Sequence, residues 1–282
     1  MDRRVTRPTL HAQKRASSRG AQLYLETRLS SKQESELTGH VALVTGGVRR
    51  IGRAIAIALA REGAAVAVNA KSSREEAVDT VREIEALGVR AHAVLADVGS
   101  EAEVGGMVAE VGRELGPIDI LVNNAAIRRE AAFTAMSHAE WREIMAVVLD
   151  GAFLMSRAVI PGMLAMGRGT IVNIGGVTAH TGAYERAHVC AAKAGLVGLT
   201  RALAVEFGER GITVNCVAPG RIGGPRSASS GRGGAIPGGG HPLVGHEGDP
   251  QDVAEAVKLL CTAGGRYING QTIHVSGGIY LP

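Results

Sequence analysis

The sequence predicts a doubly wound α/β sheet, mostly parallel and of Rossmann type, folded as a single domain. Three observations lead there. Short β-branched runs recur with little internal alternation, as strands covered on both faces require. Between them lie helical stretches whose starts carry capping residues. The first run empties into a glycine-rich turn that opens a helix.

In order, the runs fall at 41–45, 65–69, 91–95, 118–122, 170–174, 212–217 and 272–275. Ser73 with Glu76, Ser100 with Glu103 and Ser137 with Glu140 match the capping box, in which side chains satisfy the orphan N–H groups of a first turn. Asp249 before Pro250 gives an N-cap with proline at the first helical position. Gly63 and Gly88 stand where helices should stop. Two longer helices are expected over 137–166 and 186–209, with faces suited to an interface between subunits. Right-handed crossovers then bring ligands to the carboxyl ends of the strands. The long interruption at 221–248, with its glycine runs, reads as a substrate lid.

Composition narrows the class. Of 282 residues, 45% are apolar and 21% charged, which excludes a wholly disordered chain. No apolar run approaches a membrane span, and no secretory signal is expected behind the basic start. Residues 1–36 hold 8 Lys and Arg against 4 Asp and Glu, whereas the remainder holds 23 of each. The basic pI therefore belongs to the tail, and the body has no excess charge for a nucleic acid. Residues 1–38 read as a basic, disordered extension; Asp2 and Glu26 speak against an organellar presequence. Cys190, Cys216 and Cys261 are scattered, which fits a reducing, cytoplasmic setting and gives no metal-ligand spacing. No metal site is expected.

The turn reads Thr45-Gly46-Gly47-Val48-Arg49-Arg50-Ile51-Gly52. Downstream, Asp97-Val98 follows the third run, Asn123-Asn124-Ala125-Ala126 the fourth, and Asn215-Cys216-Val217-Ala218-Pro219-Gly220 forms the sixth. Tyr267-Ile268-Asn269-Gly270-Gln271 precedes the last run and Gly277-Gly278 closes it. In this order and spacing the chain resembles the short-chain dehydrogenase/reductase family from about Gly39 to its end, with Arg50 where the family's turn has its middle glycine. The 3-oxoacyl thioester reductase group is the most similar branch; Arg50 points instead to the pteridine reductases.

The resemblance implies a nicotinamide dinucleotide site. Gly46, Arg49, Arg50, Ile51 and Gly52 would hold its phosphates, and Asp97 with Val98 its adenine. Asn123 to Ala125 would take a ribose, Pro219, Gly220 and Ile222 the nicotinamide, and Lys193 the nicotinamide ribose. It also implies a homodimer or homotetramer. The second strand ends in Asn69-Ala70-Lys71-Ser72, without the carboxylate that accepts from a ribose 2′-hydroxyl. Arg49, Arg50 and Lys71 can pair with a 2′-phosphate, so NADP(H) is expected ahead of NAD(H).

The catalytic positions depart from the family's pattern. Lys193 matches the family's lysine, but Val189 stands at the tyrosine position, Gly176 at the serine, Val148 at the asparagine and Gly224 near the usual threonine. No serine occurs between Ser156 and Ser227, and Tyr184 is the sole tyrosine in that interval. Valine and glycine side chains neither donate a proton nor bond an alkoxide. Substitutes are His188, one residue off the tyrosine position, Tyr184 just before that helix, and Thr178 in the loop after Gly176. Each has a plainer role as surface, packing or turn residue. Cys190 reads as a small buried hydrophobe. The expected function is hydride transfer to a carbonyl or activated double bond of a small or carrier-bound substrate. The alternative is a catalytically silent NADPH-binding sensor or hetero-oligomer subunit.

Overall fold

The computed structural model describes residues 35–224, 236–237 and 240–282. The expected extension therefore lies outside the described residues through position 34, and so do 225–235 and 238–239 of the expected lid. Leu37, placed with the extension by sequence, is buried in the core and donates its N–H to Glu62 O at 2.8 Å.

Seven strands, β1 (Val41–Val44), β2 (Ala65–Ala70), β3 (Ala91–Leu95), β4 (Ile120–Asn123), β5 (Gly169–Ile174), β6 (Ile212–Pro219) and β7 (Thr272–Val275), form one sheet. Every neighbouring pair is parallel and the order is β3-β2-β1-β4-β5-β6-β7. All residues of β1, β2 and β4 are buried, so these strands show no polar alternation. On one face pack α1 (Arg50–Arg61), through Ile55 and Leu59, and α8 (Pro250–Cys261), through Val253 and Val257. The other face takes Met107 and Val111 of α3 (Glu101–Glu114). Met155 and Met163 of α5 (Gly151–Met166), and Phe207 of α7 (Ala187–Phe207), complete that layer. The strand order reverses between β1 and β4, which opens a crevice at their carboxyl ends.

Helix starts follow their side chains. At α4 (His138–Met145) the capping box is complete: Glu140 N donates to Ser137 Oγ at 3.2 Å and Ser137 N to Glu140 Oε2 at 2.9 Å. At α3, Ser100 caps Glu103 N, but the Glu103 carboxylate accepts instead from Asp97 N at 2.8 Å. The box expected at α2 (Arg74–Glu85) does not form. Arg49 takes both of its members, pairing with Glu76 and donating to Ser73 Oγ at 3.0 Å. The helix expected over 137–166 is α4 and α5 joined by a π turn at Ala146–Asp150. This stretch and Ala187–Arg210 are long and apolar enough to cross a bilayer by composition; here both lie against the sheet.

The fourth strand begins at Ile120, two residues later than expected, because Asp119 has another task. Its buried carboxylate accepts from Val41 N at 2.8 Å and pairs with His40 at 2.8 Å and Arg168 at 2.9 Å. That ties the start of β1 to the start of β4 and the turn before β5. Asp119→Ala should cost about 1–3 kcal/mol, because it leaves the buried Val41 N–H without its acceptor. Urea unfolding should show a lower midpoint at unchanged slope.

A candidate active site at the sheet switch point

The crevice is built by the turn after β1. Thr45 Oγ1 accepts from Asn124 N and Ala125 N, both at 3.0 Å. Asn124 Nδ2 donates to Thr45 O and Gly46 O at 2.9 Å. These bonds hold the glycine turn of β1 against the end of β4. Gly46 has φ +60°, and a Cβ at Gly52 would sit 2.2 Å from Gly46 O, so only glycine fits there. Arg49 makes no side-chain cap at the start of α1, which leaves first-turn N–H groups beside the cleft lined by Arg50 and Ile51. An uncapped helix start behind a glycine turn fits a pyrophosphate.

Arg50 also ties the turn to the chain after β6. Its backbone is left-handed at φ 45°, unusual for a residue with a Cβ. Its guanidinium donates to Ile222 O and Gly223 O at 3.0 Å, which latches the turn to the base of the 221–248 segment. That base is closed by a bridge between Ile222 and Gly248. Arg49 is paired with Glu76, and Lys71 with Asp97 at 2.5 Å. Lys71 and a Gly99 N–H hold the Asp97 carboxyl below its ordinary range. Arg49 and Lys71 are exposed and Glu76 and Asp97 half-buried, so both pairs can be reached by an incoming phosphate that exchanges with their carboxylates.

The remaining dinucleotide candidates divide by depth. Asn69 is buried, accepting from Gly46 N at 3.4 Å and donating to Ala96 O at 3.0 Å, whereas Ser72 is exposed. Val98 is packed in the core. Asn123 donates to Asn173 Oδ1 at 2.9 Å, and Asn173 to Thr200 Oγ1 at 2.9 Å, a buried polar chain under the crevice. Ala125 is half-buried, and Pro219, Gly220 and Ile222 line the cleft.

Lys193, Val189, Gly176 and Thr178 line the same cleft. Gly175 must be glycine, because a Cβ would meet Cys216 Sγ at 2.7 Å. At Gly176, where the resemblance expects a serine, a Cβ would find only Thr178 Oγ1, at 3.7 Å, so there is room for a side chain. Val189 and Val148, where the resemblance expects a tyrosine and an asparagine, share one apolar cluster with Ile144, Ala152, Ala192 and Leu196. Lys193 is buried and donates to Ile174 O. Burial, and then the charge of Arg128, bring its ammonium from 10.5 down to about 7.

The other two proton-donor candidates are elsewhere. His188 is fully enclosed, with both ring nitrogens lacking a hydrogen-bond partner, and it is absent from the cleft wall. Burial lowers its pKa. One residue turns a helical side chain about 100°, so His188 cannot replace a group at Val189. Tyr184 is 65% exposed and also lies off the cleft wall. What the sequence reading missed is a set of arginines. Arg128, Arg186 and Arg221 line the cleft, with Arg186 paired to Glu130 at 2.7 Å. Arg128 is the second residue after Asn123-Asn124-Ala125-Ala126, so its place beside that motif was the available signal.

Residues 46–280 match the family model described as enoyl-(acyl carrier protein) reductase. The chain is 40% identical over 246 residues to the 3-oxoacyl-[acyl-carrier-protein] reductase of Staphylococcus aureus, covering 85% of this chain and 98% of that protein. It is 37% identical to the protein of that name from Haemophilus influenzae, over 87% of this chain and all of the relative. The Vibrio cholerae protein of the same name is also 37% identical, over 87% and 99%.

A buried ammonium held near 7 destabilises the fold wherever it is protonated. The folded pKa lies below the unfolded one, so the penalty is full below about pH 7 and fades as pH rises towards 10.5. Lys193→Met should therefore stabilise the cofactor-free protein by roughly 5 kcal/mol at most. Its Tm gain should be larger near pH 6 than near pH 10, read by calorimetry.

Proposed function

Because the chain belongs to the short-chain dehydrogenase/reductase family and is an oxidoreductase acting on a carbonyl or hydroxyl group, we propose that it reduces a carbonyl with NADP(H) and that Lys193 itself delivers the proton. NAD(H) is the poorer cofactor in this reading. When bound, the nicotinamide supplies the hydride. Lys193 then gives its Nζ proton to the oxygen that becomes the alcohol, and Thr178 donates a hydrogen bond to the same oxygen. The observation that carries this reading is the place of Lys193: a buried amine in the cleft wall, held near neutrality, beside positions where the tyrosine and serine hydroxyls are missing.

Arg49 and Lys71 hold the 2′-phosphate by releasing Glu76 and Asp97, and Arg50 keeps the lid base latched instead. The relatives are named for carrier-bound substrates, which makes a carrier-bound or a small carbonyl compound the substrate here. A homodimer or homotetramer is supported by the apolar side chains that α5 and α7 leave exposed, Phe153 and Val205.

Nicotinamide fluorescence on titration with NADPH and NADH tests the cofactor, and a carbonyl turnover screen tests the reaction. NADPH should bind more tightly, and Arg49→Ala with Lys71→Ala should erase about tenfold of that preference. Lys193→Met should abolish turnover and Thr178→Val should lower it, while His188→Ala and Tyr184→Phe leave it within about twofold. Full turnover in Lys193→Met, or tighter binding of NADH, would contradict the reading.

A further inference from the structure

Thr178, the proposed donor to the substrate oxygen, opens α6 (Thr178–Thr181), a helix of a single turn. Inside it, His180 N and Thr181 N donate to Val177 O at 2.9 and 3.0 Å, and Gly182 N donates to Thr178 O at 3.2 Å. Thr178 and His180 therefore move as one unit, and what aims Thr178 is how the whole turn is held. At its start Val177 N donates to Pro219 O at 3.1 Å, and along one side the turn leans on α7. At its other end stands the ring of His180.

That ring is packed against two others. It meets His274 of β7 edge-on, with centroids 4.7 Å apart, and stacks on Tyr280 at 5.1 Å, while His274 and Tyr280 are 4.8 Å apart. The Nε2 atoms of both imidazoles are buried and have no hydrogen-bond partner, so packing rather than hydrogen bonding holds that side of each ring. Tyr280 reaches the pair because the chain doubles back after β7. Gly277 and Gly278 are left-handed, at φ 61° and 82°, and Cβ atoms there would meet Val244 at 2.8 Å and Leu243 at 2.9 Å. Ile279 N closes the bend on Ser276 O at 3.2 Å. We propose that Tyr280 is a positioning residue: its ring, together with that of His274, clasps His180 and so fixes the orientation of α6 in which Thr178 faces the substrate oxygen. The clasp joins the cleft wall to the edge of the sheet, where β7 lies. Ring contact is what holds His180, so Tyr280→Phe should keep the clasp. The role of Thr178 in it rests on the reductase reading.

The test uses the full chain saturated with NADPH, with ethyl 3-oxobutanoate as the carbonyl probe. Tyr280→Ala should lower kcat about tenfold and leave the Kd for NADPH within about twofold, whereas Tyr280→Phe should keep kcat within about twofold of wild type. Added to Tyr280→Ala, Thr178→Val should cost less than a further twofold, because two changes that act through one group are not additive. Wild-type kcat in Tyr280→Ala, an equal loss in Tyr280→Phe, or losses from Tyr280→Ala and Thr178→Val that multiply in full would overturn the proposal. If wild type does not reduce the probe, or Thr178→Val costs no activity, the reductase reading of Thr178 falls. The clasp is then decided by amide exchange. The Thr181 and Gly182 amides should exchange about tenfold faster in Tyr280→Ala than in wild type or Tyr280→Phe, and equal exchange in all three overturns it. Should Tyr280→Ala fail to fold, His180→Ala decides the same question by the same two measurements.

Discussion

The seam between β1 and β4 is tied at both ends, and the crevice at its carboxyl edge exists because of those ties. At the start of the strands the Asp119 carboxylate takes the first N–H of β1, the His40 ring and the Arg168 guanidinium. At their far end Thr45 and Asn124 bond across the same seam, on the backbone as well as the side chains. Neighbouring strands depart in opposite directions from this point, so no crossover covers its carboxyl edge. The glycine turn, the Arg50 latch and the cleft beyond it all hang on that geometry. Moving either tie would shift the turn against Asn124, where the gap leaves no room for a Cβ at Gly52.

Across the crevice, chemistry is set by subtraction. Two valines and a glycine stand where the family resemblance places an asparagine, a tyrosine and a serine. The valines pack into one apolar cluster, and Lys193, one turn along the helix from Val189, is itself buried. Desolvation disfavours the ammonium, Arg128 disfavours it further, and an ordinary lysine becomes a group that exchanges protons near neutral pH. In the proposed mechanism this lysine serves where the resemblance expects a tyrosine, and its burial carries a cost in stability that the rest of the sheet must absorb.

Much of the architecture was legible because burial on both faces leaves an unmistakable apolar run, as in β1 and β2. The ends of elements were less so. Ser73 and Glu76 satisfy a local capping rule, yet Arg49, distant in sequence, claims both. Asp119 looked like part of a strand, and its carboxylate turned out to serve a neighbouring one. The glycine turn and Lys193 were found from ordered motifs. His188 was misleading because one residue of offset on a helix decides whether a side chain meets the cleft or the core. Arg128 escaped notice because its direction depends on how the chain after β4 runs along the entry to α7, a tertiary fact with no local signature.

The most direct measurement is the pH dependence of kcat/KM for NADPH-driven carbonyl reduction by the wild-type chain, from about pH 5 to pH 9. Lys193 acts as an acid only while protonated. The rate should therefore be level below a midpoint near 7 and fall about tenfold for each further pH unit above it. A profile that stays level to pH 9 would contradict the account, because it would place the proton on a group other than Lys193.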